Sequence, residues 1–145
     1  MPAPKTNNRR KTQASKVEDS LGRLQPQELD FEKSVLGALL LEKDAYALIS
    51  DILTPESFYD VRNQKVFSAI RTLNLAQSPL DLLTVAEQLR VDGNFEEVGG
   101  PAYLASLTQN IVSSSHIEYH ARVIAQKATA RELIAYSANV QDEAF

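Results

Sequence analysis

From Ser113 to Phe145 the chain carries neither proline nor glycine. Ser115 is placed to cap a helix, and Glu118, three residues on, completes the pattern of a capping box. A helix from Ser115 to Phe145 would be about 45 Å long at roughly 1.5 Å per residue, so the remaining residues must arrange themselves around it. One seam runs through Ile117, Ala121, Ile124, Ala128, Arg131, Ala135 and Ala138, in steps of four and three. It is apolar except at Arg131, and its alanines permit close helix approach. A second stripe carries Val123, Ala130, Leu133, Ile134 and Val140. Two stripes on one helix fit two clients, the preceding domain and something outside it. They also fit a single core in which short helices wrap the first half of the long one.

The 145 residues suit one domain with tails, and an apolar content of 43% supports a real core. There are no cysteines, which excludes disulfides and thiolate metal sites. The longest apolar run, around Leu39-Leu40-Leu41, is far too short to span a membrane. The N-terminus lacks the apolar segment of a signal peptide, so the expected setting is soluble and intracellular. Charge is uneven. Lys5, Arg9, Arg10, Lys11, Lys16 and Arg23 face only Glu18 and Asp19 in residues 1–23, a net of +4, so the remainder carries −8 of the total −4. A basic tail can touch nucleic acid or stay solvated. An acidic folded part argues against a broad DNA-binding face on it.

Residues 1–24 are polar and basic, without a periodic apolar face, and read as disordered. A first helix is predicted from about Pro26, with Leu29, Leu36 and Leu40 on one face and Phe31, Val35 and Leu39 flanking it. Glu28, Asp30 and Glu32 suit the start of that helix as solvated, dipole-facing carboxylates. Gly37 in mid-helix predicts a close crossing with another helix. After Asp44 as cap, Ala45, Leu48, Ile49, Ile52 and Leu53 follow the helical template up to Pro55. Phe58 and Tyr59 are expected to plug the core. Asp60 caps a third helix burying Val66, Phe67, Ile70 and Leu73, and Asp81 caps a fourth using Leu82, Val85, Ala86 and Leu89. Asp92-Gly93 stops it. Gly99-Gly100-Pro101 turns into a fifth helix through Tyr103, Leu104 and Leu107, and Thr108 to Val112 links to the long one. The fold class is all-α: a compact orthogonal bundle of about five short helices plus one long C-terminal helix.

The five glycines form neither a GxxxxGK[ST] nor a GxGxxG cradle. His116 and His120 sit i, i+4, but Ile117 holds the position where a zincin carries its glutamate. A surface or interface pair is the preferred reading of the two histidines, because two of them without cysteine leave a metal short of ligands. Ser113, Ser114 and Ser115 form a loop and cap rather than a nucleophile elbow. No catalytic, cofactor-binding or metal-binding residue is assigned, and the pattern points to an interaction module.

Four ordered stretches resemble the N-terminal domain of bacterial replicative DNA helicases of the DnaB type. They are Pro26–Glu42 (PQELDFEKSVLGALLLE), Leu53–Phe67 with Phe58-Tyr59 and Val66-Phe67, Ser78–Leu107 (SPLDLLTVAEQLRVDGNFEEVGGPAYLASL), and Ser113–Ile134. The third holds the family's P-[IV]-D-[LI]-x-T-[LV]-x-x-x-L core and its V-G-G-x-x-Y-L-x-x-L close. Asp30-Phe31 stands where Glu-Ala is usual, and His116 replaces the common Asn. The resemblance covers nearly all of residues 26–134.

The resemblance implies a domain followed, in the full-length protein, by a linker and an ATPase motor that binds ATP and Mg. This chain is then a non-enzymatic part of an ATP-dependent helicase in the bacterial cytoplasm. It further implies a division into a basic tail (1–25), a globular helical bundle (26–112) and the first arm of a truncated dimerisation hairpin (113–145). The implied partners are other copies of itself, as a dimer and a trimer of dimers in a hexameric ring, together with primase. The helicase loader and DNA are expected partners of the full-length protein, and a membrane is not. The stripe itself nominates the contact residues: Tyr119, Val123, Gln126, Ala130, Leu133, Ile134 and Ser137. The alternative is a DNA-binding helical module that uses a helix pair around Leu82–Leu107 and the basic N-terminal tail.

Overall fold

A computed structural model of the chain describes residues 25–109 and 114–144. The reading of 1–24 as a tail and residues 110–112 of the expected Thr108–Val112 link lie outside the described residues, while Thr108 and Gln109 are helical rather than linker. Among the described residues six α-helices follow in order: α1 (Leu29–Leu41), α2 (Ala45–Ile49), α3 (Val61–Leu75), α4 (Leu82–Val91), α5 (Gly100–Gln109) and α6 (Ile117–Ala144). Single 3-10 turns at Pro55–Ser57 and Ser114–His116 precede α3 and α6. No strand occurs among the described residues.

The helix starts are chemically marked. Asp60 Oδ1 accepts from the Arg62 backbone N–H at 2.9 Å. Asp81 Oδ1 accepts from the Thr84 N–H at 2.8 Å, while Thr84 Oγ1 accepts from the Asp81 N–H at 3.0 Å. That reciprocal pair satisfies two otherwise orphaned donors. Gly93 ends α4 at φ +76°, and Gly99 and Gly100 turn into α5 at φ +102° and +61°. These are conformations in which a side chain is strained.

Helix α1 is the centre of the bundle. It packs on α5 along one side and on the first half of α6 along another, while α3 packs against α4. The crossing predicted at Gly37 is with α5: a methyl at Gly37 would overlap the carbonyl oxygen of Leu107 and sit 3.2 Å from its carbonyl carbon. Val35, Leu36, Leu39, Ile49, Phe58, Val66, Phe67, Ile70, Val85, Leu89, Leu104, Leu107 and Ile124 are buried in one cluster. Phe58 and Phe67 lie with ring centroids 5.1 Å apart. Each such side chain contributes about 1.5–3 kcal/mol by leaving water.

Five local expectations are corrected. Helix α1 starts at Leu29 rather than near Pro26, and Leu29 is exposed. Helix α2 stops at Ile49, with Leu48 facing solvent, so Ile52 and Leu53 pack from a turn rather than from helix. Pro55 opens a 3-10 turn rather than ending a helix. Phe58 is buried, but Tyr59 lies at the surface. Helix α6 begins at Ile117, after a 3-10 turn over Ser114–His116, so its α-helical start falls later than a Ser115 cap would place it.

Candidate interaction surface

Helix α6 spans 28 residues, about 42 Å at roughly 1.5 Å per residue. Its first half belongs to the bundle: Ile117, Ala121, Ile124 and Ala128 are buried. This is the first seam read from the sequence, and it ends as a core seam at Ala128. Ala135 and Ala138, its continuation, are exposed. His120 stacks on Phe31 with centroids 4.4 Å apart, and Tyr119 meets the same ring edge-on at 6.4 Å. The His116 and His120 rings are 6.4 Å apart, and no group of three or more potential metal donors occurs among the described residues.

Arg131, the polar break in the seam, reaches back across the end of the bundle. Its guanidinium donates to the Pro26 carbonyl at 2.7 Å and to the Ser57 carbonyl at 3.0 Å, and it lies 5.4 Å from the Tyr59 ring centroid. Every residue from Glu132 to Ala144 is exposed. A helix of that length without tertiary packing is marginal in water. Its surface is nonetheless apolar in part: Leu133 is 61% exposed, Ile134 48%, Tyr136 68% and Val140 46%. Leu133, Ile134, Ser137, Ala138 and Gln141 line a shallow, open strip.

The seven nominated residues share one face. At about 100° per residue they fall within an arc of roughly 100°, on the side away from the buried seam. Tyr119, Gln126, Leu133, Ile134 and Ser137 are exposed, whereas Val123 and Ala130 are half-buried. Tyr119 also leans on Phe31, so the face merges with the bundle at its base.

A buried polar network underlies the surface where α6 leaves the bundle. Glu32 is 1% exposed, which corrects its reading as a solvated, dipole-facing acid. Its carboxylate accepts from the Tyr59 N–H at 2.8 Å, the Asp60 N–H at 3.3 Å and Asn63 Nδ2 at 3.0 Å. Tyr103 donates its hydroxyl to Asn63 Oδ1, and the Arg62 guanidinium covers the Tyr103 ring at 4.2 Å. Burial raises the Glu32 carboxyl above its ordinary 4.5, against the opposing pull of its hydrogen bonds and of Arg131. Burial also pushes the Tyr103 hydroxyl up to about 12. These are structural groups, matched donor to acceptor. The spacing from Glu32 to Val35, Leu36 and Leu39 was the available signal that Glu32 points inward.

A family model described as the DnaB-like helicase N-terminal domain matches residues 24–126. The chain belongs to this family. The replicative DNA helicase DnaB of Rhodothermus marinus is 42% identical over 132 residues, covering 90% of this chain and 14% of that protein. The replicative DNA helicase DnaC of Bacillus subtilis (strain 168) is 34% identical over 123 residues, covering 85% of this chain and 27% of that protein. The chain thus spans about a quarter or less of these relatives. The crystal structure of the N-terminal domain of DnaB helicase from Mycobacterium tuberculosis superposes with a TM-score of 0.78 at 36% identity, covering 81% of this chain and 86% of that one. A DnaB-like replicative helicase, solved in a study of its interactions with primase, shares the fold at TM-score 0.70 and 22% identity, over 80% of this chain and 27% of that one.

In this DnaB-like N-terminal domain the family match ends at residue 126, so the free half of α6 lies beyond it. The described residues carry nine lysines and arginines against seventeen aspartates and glutamates, a net of −8. That is a poor surface for broad phosphate contact. No helix among the described residues is long and apolar enough to cross a membrane.

The packing of His120 on Phe31 gives the domain a pH dependence of known sign. Burial first, and the neighbouring His116 second, lower the His120 pKa below its ordinary 6.5. The unfolded chain therefore binds the proton more readily. The stability contributed by the neutral ring is fully present above pH 6.5 and is lost as pH falls through the lowered folded value. Urea unfolding of wild type and His120→Phe between pH 7.5 and 5 should show a fall in stability that the variant lacks. Equal falls in both would remove His120 as its source.

Proposed function

We propose that the chain is the non-catalytic collar domain of a replicative DNA helicase of the DnaB type, joining subunits through the free half of α6 and docking primase. The observation that carries this is the exposed apolar face from Glu132 to Ala144, on a helix whose other half is built into the bundle. In this reading residues 26–112 are the globular unit, residues 113–145 the first arm of a pairing hairpin, and residues 1–25 a basic tail. Tyr119, Val123, Gln126, Ala130, Leu133, Ile134 and Ser137 form the contact, as a dimer and then as a trimer of dimers in the ring. ATP and Mg act in a motor domain of the full-length protein, which also meets the helicase loader and DNA in the bacterial cytoplasm. Family membership and the helicase relatives support the assignment. Primase docking is supported by a fold shared with a helicase studied for its interactions with primase.

The test is Ile134→Asp. An unpaired charge held in an interface costs several kcal/mol, so self-association should weaken by about 100-fold or more. The melting temperature should hardly change, because Ile134 is half exposed within the single chain. Unfolding of the variant would place Ile134 in the core and refute the proposed facing. Unchanged association would move the contact elsewhere.

A further inference from the structure

Arg131 touches three separate parts of the chain: the lead-in segment before α1, the 3-10 turn before α3, and its own helix. Its two terminal nitrogens are divided between the Pro26 and Ser57 carbonyls at 2.7 and 3.0 Å. Tyr59 flanks the guanidinium, and the Tyr59 N–H is in turn held by buried Glu32 at 2.8 Å. It stands one turn beyond Ala128, the last buried residue of α6, and one residue before the fully exposed half begins. A planar guanidinium holds its donors in a rigid fork that spans two separate carbonyls, whereas a lysine gathers its donors on one compact ammonium at the end of a flexible stem. Glu28, the last residue of the lead-in segment, is tied to α1 by its carbonyl, which accepts from the Glu32 N–H at 3.0 Å, but its side chain makes no capping bond.

We propose that Arg131 is a latch that couples the lead-in segment at Gln25–Glu28 to the root of the free half of α6, so that loosening either one loosens the other. Pro26 makes the coupling stiff, because its ring fixes φ and so presets the direction of the carbonyl that Arg131 grips. By linkage, a partner that pulls the residues before Pro26 away from the bundle shifts the point at which α6 begins to fray. A partner that clamps the free helix holds the lead-in segment in place in the same way. Arg131 is a positioning residue in this scheme. The inference concerns the single chain and stands whether or not the exposed face pairs with a second copy.

The experiment is amide hydrogen exchange on the full chain at a concentration where it is monomeric. It follows residues Arg131–Ile134 together with core reporters in α1 and α3. Arg131→Ala should speed exchange at Arg131–Ile134 severalfold while leaving the core amides of Leu36 and Phe67 unchanged, and Arg131→Lys should not restore the protection. Pro26→Gly should also speed exchange at Arg131–Ile134, more than 100 residues away in sequence, and should add nothing in the Arg131→Ala background. If Arg131→Ala does not fold, the same comparison is read with Arg131→Lys. The proposal is overturned if Pro26→Gly leaves Arg131–Ile134 unchanged, if the two effects simply add, or if Arg131→Lys protects as well as arginine.

Discussion

Glu32→Ala should be strongly destabilising, costing about 3–5 kcal/mol. The carboxylate is the acceptor for two backbone N–H groups and the Asn63 amide, all at a position 1% exposed. A buried donor left without a partner costs about 1–3 kcal/mol; the Asn63 amide is such a donor, and the Tyr59 and Asp60 N–H groups are part-buried. Asn63 would also lose the group that orients it towards Tyr103, so the damage spreads to α5. Against a typical total of about 5–15 kcal/mol, this is a large fraction of the stability. Thermal melting should fall by roughly 15 °C or more. A fall of only a few degrees would mean that water replaces the carboxylate at little cost.

Glu32 also gives a pH signature opposite to that of an ordinary paired acid. Its folded pKa is raised above 4.5, mainly by burial. Between 4.5 and that raised value the native state binds more protons than the unfolded chain. The stability that protonation of Glu32 adds is therefore full below pH 4.5 and is lost as pH rises through the folded pKa. Asp60 behaves in the usual way: the hydrogen bonds from Arg62 hold its carboxyl below 3.8, so its contribution is present above 3.8 and lost as pH falls through the lowered value. Glu32→Gln should remove the first of these slopes and keep the second.

Gly37→Ala should destabilise by about 2 kcal/mol, although helix propensity alone predicts a gain of about 1 kcal/mol for alanine over glycine in mid-helix. The added methyl would overlap the carbonyl oxygen of Leu107, a backbone atom that cannot swing aside. Helices α1 and α5 must then separate, and overpacking of that kind costs typically about 1–3 kcal/mol. Chemical denaturation decides the sign, and a stabilised variant would show that the two helices are free to part.

The elements most plainly written in the sequence were those set by local chemistry. Asp60 and Asp81 mark helix starts by accepting from backbone N–H groups of their own first turns, whereas Asp44, the expected cap of α2, makes no such bond. Gly93 ends α4 because few other residues adopt its backbone conformation without strain. The misreadings lie where distant residues decide. Glu32 sits among Glu28 and Asp30 and looks like a dipole-facing acid. Only the arrival of Tyr59, Asp60 and Asn63, about thirty residues on, makes its burial affordable. Arg131 interrupts an apolar seam for the same reason, since its acceptors are the carbonyls of Pro26 and Ser57. The helical template at Ala45–Leu53 broke because Ile52 and Leu53 can reach the core from a turn as well as from a helix. The two stripes of α6 were visible in the sequence. Which of them was core followed only from where α1 packs.

Sedimentation equilibrium across a wide concentration range tests the account most directly. The exposed face of α6 predicts a mass that rises from monomer towards dimer as the unaltered chain is concentrated. A monomeric mass at every accessible concentration would contradict the assignment of that face as a subunit contact that this chain can make by itself.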